Sequence, residues 1–394
     1  MVLKVLIDEN STKDVGTYYF PKKGPGLSDK YKLEEYLSES PFSYLKQETI
    51  KFIYKDICDE DVEQMLDGKK PKEKVEVDDL LPKDGILYLQ QGEMGITHPQ
   101  DEHIKYIGSS DATTCHLLLL RDNLTGVSGV AHIDEVNSSH LNNFISKVRK
   151  LANERINGQE NQSNDNSTEQ THKCDRSNTN DTRPLELYVV GGYQDERGMS
   201  ERLSIELLTY LIESPEIFLL KILAIGSLNT TRMNQTYNAP ILYGAAIEMV
   251  SGRVFPAGFA YRGPDETIRH LRLSFCGRKN GFVEPYNHET GELIVQAFSV
   301  NAHTENLAYY MRLSDDTFLQ CMSTSPKVEP LYFVENQKKI FRTAIENPDL
   351  YKDIFPGRSS RVWKFHKDKG WTVVDNGKSP CKIIDQDDIK FFQK

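Results

Sequence analysis

The sequence predicts an α/β fold in which a mixed, mostly antiparallel central sheet is flanked by helices. Three observations lead there. Short apolar runs bounded by turn residues recur from Gly85 onward, with the length and punctuation of strands. Segments with apolar residues at helical spacing lie between them. The two kinds interleave without the regular βαβα rhythm that an all-parallel sheet needs.

Residues 1–7 have the composition of a short strand. Residues 31–52 carry apolar residues at helical spacing, and 59–66 continue it. GKKPKEKVEVDD at 68–79 has no apolar period and reads as a linker or exposed loop. GILYLQQ (85–91) and HIKYIGSS (103–110) read as strands. CHLLLLR (115–121), the turn-rich DNLTG and VSGVAHI (127–133) read together as a hairpin. Ser138 or Ser139 is placed to cap a helix running to about Arg155. Residues 158–183 are dominated by Asn, Ser, Thr, Asp and Gln; such a segment buries too little surface to offset its ordering entropy and is expected to be disordered. LELYVVGGY is a strand ending at a double glycine, followed by an amphipathic helix over 200–212. IFLLKILAIGSL, PILYGAAIEMV and ELIVQAFSV read as further strands, and 333–347 as a helix.

Composition bounds the function classes. The chain has 394 residues, 38% hydrophobic and 27% charged, ample for a large core. It contains no apolar run of about 20 residues, so no membrane span is expected. The net charge of −10 argues against a basic nucleic-acid face. The start lacks a cationic segment, a long apolar stretch and a cleavage site; no secretory signal is read, and a cytoplasmic location, with the nucleus as a second compartment, is expected. Six cysteines form no close pair, so neither a zinc site nor a disulfide framework is expected.

One cysteine stands in a chemically suggestive place. If Asp122 to Thr125 form a four-residue loop, Cys115 faces His132 across the hairpin, on one face of the sheet. A thiol needs a neighbouring imidazole to become a thiolate at neutral pH, and the same imidazole can later protonate a leaving amine. The polar run IGSSDATT (107–114) lies just upstream; its amides could form an oxyanion hole and its hydroxyls could orient His132. Against this, a Cys and a His on adjacent strands are more often packing residues than a dyad. His116 points to the opposite face and is a poor base. Asp111, Asp134, Glu135 and Asp195 sit near strand ends and could gather near Cys115, though a solvated turn is the commoner role. Gly191-Gly192 lacks the spacing of a phosphate loop and reads as a tight turn. Ser323-Thr324-Ser325-Pro326 reads as the end of a regular element. No GxSxG, HExxH or P-loop pattern is present.

The run from Gly108 to His116, GSSDATTCH, resembles the nucleophile motif of the animal and plant protein N-terminal asparagine amidohydrolases. Leu89-Gln90-Gln91, Val189-Val190-Gly191-Gly192, Tyr261-Arg262-Gly263-Pro264, Ser323-Thr324-Ser325-Pro326, Glu329-Pro330 and Phe333-Val334-Glu335 resemble further motifs of that family, in the expected order. The resemblance implies hydrolysis of the side-chain amide of an N-terminal Asn to Asp and ammonia, feeding the arginine branch of the N-degron pathway. It implies Cys115 as nucleophile. A more distant likeness to bacterial chemoreceptor glutamine deamidases, in the order Ser109, Cys115, His132, implies a deamidase-like α/β sandwich. On this reading residues 1–80 are an accessory region, 81–375 the catalytic domain and 376–394 a tail.

The implied cycle runs through a Cys115 thioester with His132 as base and Ser109 orienting it, and needs no metal or organic cofactor. Selectivity for a terminal residue requires a carboxylate to receive the free α-ammonium. Asp111, Glu93 and Asp195 are the candidates, with Thr114 beside them as a substrate-binding residue. The expected partners are proteins or peptides with N-terminal Asn, not nucleic acid and not membrane. Two other readings use the same residues differently: a deamidase of internal Gln or Asn, and a non-catalytic adaptor that binds N-termini. A cysteine protease lacks local motif support.

Overall fold

The computed structural model describes residues 45–54, 57–66, 80–81, 84–164, 183–234, 236–276, 281–300 and 304–374. The expected strand at 1–7, the linker at 68–79 and the tail at 376–394 lie outside the described residues, as do Cys174 and Cys381.

In chain order, helices α1 (Leu45–Ile53) and α2 (Asp59–Leu66) come first. Six strands follow: β1 (Leu80–Leu81), β2 (Ile86–Tyr88), β3 (Met94–Thr97), β4 (Tyr106–Ser109), β5 (His116–Asp122) and β6 (Ser128–Ile133). Then come α3 (Ser138–Asn164), β7 (Leu185–Gly191), α4 (Met199–Glu213) and β8 (Phe218–Ala224). Five short strands continue the chain: β9 (Thr230–Met233), β10 (Tyr237–Pro240), β11 (Ala245–Glu248), β12 (Val254–Pro256) and β13 (Gly258–Phe259). Helix α5 (Glu266–Cys276) precedes β14 (Tyr286–Asn287) and β15 (Glu292–Val295). Helices α6 (Thr304–Met311), α7 (Asp315–Met322), α8 (Phe333–Glu346) and α9 (Leu350–Asp353) lead to β16 (Arg361–His366) and β17 (Gly370–Val373).

The strands form a five-stranded sheet in the order β3-β6-β5-β7-β8, a four-stranded sheet β12-β11-β4-β2, and a second four-stranded sheet β14-β15-β16-β17, with the pairs β9–β10 and β1–β13. Pairing is antiparallel except for β7–β8, β2–β4 and β1–β13. The expected mixed, mostly antiparallel α/β architecture is therefore what the chain adopts, divided among several sheets rather than one.

The layering follows from period-two alternation along β5. Leu118 and Leu120 point to a core shared with Phe144 and Val148 of α3 and Leu207 and Leu211 of α4. Leu117 and Leu119 point the other way, to Leu87 of β2, Ile107 of β4, and Ala245 and Ile247 of β11. One face of the five-stranded sheet is thus covered by helices and the other by a second sheet, so β5 and β6 are buried along their whole length. This explains why CHLLLLR has no polar side. Helix α1 joins the same cores through Leu45 and Ile53. Its Thr49 hydroxyl accepts the Leu223 N–H at 3.2 Å.

Three elements depart from the sequence reading. The helix expected to end near Arg155 runs to Asn164, into the polar segment, and Asn137 rather than Ser138 or Ser139 caps it, accepting the N–H groups of Ser139 and His140. PILYGAAIEMV is two strands, because buried Asn229 turns the chain at Leu242, accepting its N–H at 2.8 Å and donating to its carbonyl at 3.1 Å. The β5–β6 register is also displaced: Leu117, not Cys115, stands opposite His132. The four-residue loop exists, but one residue later than expected. Gly126, at φ 73°, belongs to the loop, while Asp122 closes the ladder by donating its N–H to Val127 O at 2.9 Å. Asp122 also accepts the Thr125 N–H at 2.8 Å. A two-residue displacement keeps side chains on the same face. Cys115 and His132 therefore remain on one side of the sheet, as diagonal rather than direct neighbours.

Candidate active site

Cys115 immediately precedes β5, and His132 lies one residue before the end of β6. Both side chains open into one cavity of about 570 Å³ between the five-stranded sheet, α5 and α8. Ser109 ends β4, in the facing sheet, and is fully buried. Its Oγ stands 2.8 Å from His132 Nδ1 and donates to Leu89 O at 2.5 Å. A hydroxyl has one proton. With that proton on Leu89 O, Ser109 can only accept from Nδ1–H, which leaves Nε2 as the basic nitrogen of the neutral ring. The facing sheet thus sets the tautomer of a histidine on the first sheet.

His116 occupies the opposite face, as expected. Its Nε2 lies 2.7 Å from Ser204 Oγ of α4, and burial pushes its pKa down to about 3, so it is neutral. The double glycine makes room for it. A Cβ on Gly192 would stand 2.6 Å from the His116 ring, and one on Gly191 would stand 2.6 Å from Cys115 O. Both glycines have positive φ, 118° at Gly191 and 63° at Gly192. No side chain fits either the space or the backbone there.

The loop before Cys115 is tied down on both sides. Ala112 donates its N–H to Tyr243 O at 2.9 Å, and Thr113 its N–H to Asp111 O at 3.0 Å. Thr114 lines the cavity and shares a 3.0 Å hydroxyl bond with Thr324. Asp111 lines it too, at φ 61°, with its carboxylate paired to Arg262 at 2.7 Å and accepting the Tyr332 hydroxyl at 2.7 Å. The structure does not bring the other two acidic candidates to the cavity. Glu93 is buried behind it, paired with Arg269 and accepting the Gln90 N–H at 2.8 Å. Asp195 closes the start of α4, accepting the N–H groups of Met199 and Ser200 at 3.0 and 2.8 Å.

Sequence reasoning missed several cavity residues. Arg262 lies over the rings of Tyr332 and Tyr88, at 4.8 and 5.5 Å from their centroids. His270 of α5 is neutral, because burial and then the Arg262 charge lower its pKa to about 4. Glu329 has its carboxyl pushed up by burial, against the pull of the Ser323 and Ser325 hydroxyls. These residues are over 140 positions from Cys115, and no local period links them to it. The only signal was that Arg262, Ser323 and Glu329 fall in the ordered motifs of the resemblance, and those motifs, with Gln90 and Gln91, do converge on this cavity. Its lining carries five carboxylates, Asp111, Asp134, Glu135, Glu266 and Glu329, against one guanidinium, Arg262. The cavity therefore favours a cation. Among the described residues no three His, Cys, Asp or Glu side chains come together as a metal site, and no helix is long and apolar enough to cross a membrane.

Comparison with known proteins agrees with this convergence. The family profile of protein N-terminal asparagine amidohydrolases matches residues 76–163 and 157–373. The chain is 28% identical over 293 residues to the protein N-terminal asparagine amidohydrolase of Mus musculus, covering 74% of this chain and 85% of that protein. It is 27% identical over 292 residues to the human protein of that name, with the same coverage. The Arabidopsis thaliana protein of that name is 26% identical over 310 residues, covering 73% of this chain and 81% of its own. Every motif that gathers at the cavity lies inside the matched residues, and the chain belongs to the protein N-terminal asparagine amidohydrolase family.

Proposed function

We propose that this chain hydrolyses the side-chain amide of an N-terminal asparagine, through a thioester on Cys115. The observation that carries the reading is the placement of Cys115 and His132 in one anionic cavity, with Ser109 holding His132 Nδ1–H from behind. His132 Nε2 takes the thiol proton. The thiolate attacks the carboxamide carbon, and backbone N–H groups beside Cys115 stabilise the oxyanion. As the C–N bond breaks, the imidazolium gives its proton to the leaving ammonia. Water, deprotonated by His132, then attacks the thioester, and the C–S bond breaks to give aspartate and the thiolate. Ser109 does not reach the substrate, being fully buried; it is a positioning residue. The acidic lining supports recognition of a free α-ammonium, a charge that an internal residue lacks. Asp111 and Thr114 stand at that lining; Glu93 and Asp195 do not. The product is an N-terminal aspartate, and the reading places the protein in the arginine branch of the N-degron pathway, in the cytoplasm and nucleus.

Peptides beginning with free Asn, acetylated Asn and free Gln test the substrate claim. Turnover of free Asn alone is expected. Equal turnover of the acetylated peptide would instead identify an internal deamidase.

A further inference from the structure

We propose that Glu329 is the specificity-determining residue that receives the substrate's α-ammonium. This rests on the reading above, of an amidase acting on N-terminal asparagine. Glu329 lines the same cavity as Cys115 and His132. The alternatives are committed elsewhere. Asp111 is held by Arg262 and Tyr332, Glu266 pairs with Arg262 at 3.4 Å, Asp134 accepts the Gln91 amide, and Glu135 is exposed to solvent rather than set in the cavity's interior. Among the described residues no cation pairs with Glu329.

Its support is built from hydroxyls rather than charges. Ser323 Oγ donates to Glu329 Oε1. Ser325 Oγ lies 3.1 Å from the same oxygen and 3.0 Å from Thr113 Oγ1. A carboxylate only accepts, so Ser323 and Ser325 are the donors to it, and the Ser325 hydroxyl is shared between Glu329 Oε1 and Thr113 Oγ1. Both bonds fall on Oε1, and among the described residues none falls on Oε2. The carboxylate is thus oriented but not neutralised. Burial raises its pKa, and the nearby Asp111 charge adds to this, an imbalance that a bound ammonium would relieve.

The same hydroxyls fix a distance. Ser325 meets Thr113, and Thr324 meets Thr114 at 3.0 Å, so the segment carrying Glu329 is tied to the two residues before the nucleophile. An ammonium held at Glu329 sets how far the carboxamide reaches towards Cys115. A glutamine, longer by one methylene, would carry its carbonyl carbon past the sulfur. One methylene in a simple pocket discriminates only about 10–200-fold, whereas a site anchored at both ends discriminates more.

The test compares wild type with Glu329→Gln on an Asn-initiated peptide and on its succinamoyl counterpart, which has hydrogen where asparagine has its amine. Wild type is expected to prefer the amine-bearing peptide by about 10²-fold or more in kcat/KM, in keeping with truncated buried charge pairs. Glu329→Gln is expected to lose most of that preference, chiefly through KM on the amine-bearing peptide. Glu329→Asp, which keeps the charge, is expected to keep the preference at a higher KM. An undiminished preference in Glu329→Gln would overturn this inference and leave the amidase reading standing. Failure of wild type to turn over the Asn peptide would overturn both.

Discussion

At the scale of single residues, the proposed chemistry turns on where one proton lies. Ser109 donates its hydroxyl hydrogen bond to Leu89 O and so holds His132 with Nδ1 protonated. Ser109→Ala removes that constraint without touching the substrate. Since a positioned general base contributes 10²–10⁴-fold, kcat is expected to fall by about 10²-fold with KM nearly unchanged. Ser109→Thr, which restores the hydroxyl, should recover part of the loss. Equal fall in kcat and stability, with no recovery by threonine, would make Ser109 merely structural. Cys115 and His132 were legible at this scale because the hairpin register differs from the expected one by two residues, an even displacement that keeps both on one face. Glu329 and Arg262 were not, because nothing local connects them to a cysteine so far away in sequence.

At the scale of elements, the site is the meeting point of two sheet ends and one tight turn. The sequence reading placed β5, β6 and β7 correctly, since apolar runs flanked by Asp, Asn and Gly are strong strand signals. It displaced the hairpin by one loop residue, because Asp122 and Gly126 each fit more than one loop position until the ladder decides between them. It took PILYGAAIEMV as one strand for a different reason: the corner at Leu242 that divides it is held by Asn229, a partner outside the run itself. The Gly191-Gly192 turn was read as tight, and the structure supplies the cause in the His116 ring and the Cys115 carbonyl packed against it. Gly192→Ala must place a Cβ against that ring at φ 63°. The left-handed backbone alone costs about 1–2 kcal/mol, and the clash adds to it. A urea denaturation midpoint clearly below wild type is expected, together with reduced amidase activity through displacement of β5, which Cys115 immediately precedes. A midpoint unchanged by the substitution would contradict the packing described.

At the scale of the whole molecule, charge and burial set how stability responds to pH. His116 and His270 are buried with pKa values lowered to about 3 and about 4, from an unfolded value near 6.5. The unfolded chain therefore binds more protons below pH 6.5, so stability is fully present above that pH and is lost as pH falls. His116 alone should remove about 2 kcal/mol between pH 6.5 and 5. In His116→Gln, thermal melts over this range should show a shallower decline than wild type; a parallel decline would mean that His116 is protonated in the native state. The same scale holds the C-terminal sheet in place. Asp265, at φ 53°, accepts Arg361 Nε at 2.6 Å and Trp363 Nε1 at 2.6 Å, joining β16 to the start of α5. That joint immediately follows Arg262, so the sheet least visible in the sequence anchors one wall of the cavity.

The central claim is that Cys115 performs the hydrolysis of an N-terminal asparagine amide. It is tested most directly by following ammonia release and the amide-to-acid mass change on a short Asn-initiated peptide, with wild type beside Cys115→Ala. Turnover by wild type and none by a folded Cys115→Ala protein is the predicted result. Turnover that survives the substitution, or a folded wild type that leaves the peptide unchanged, would contradict the account.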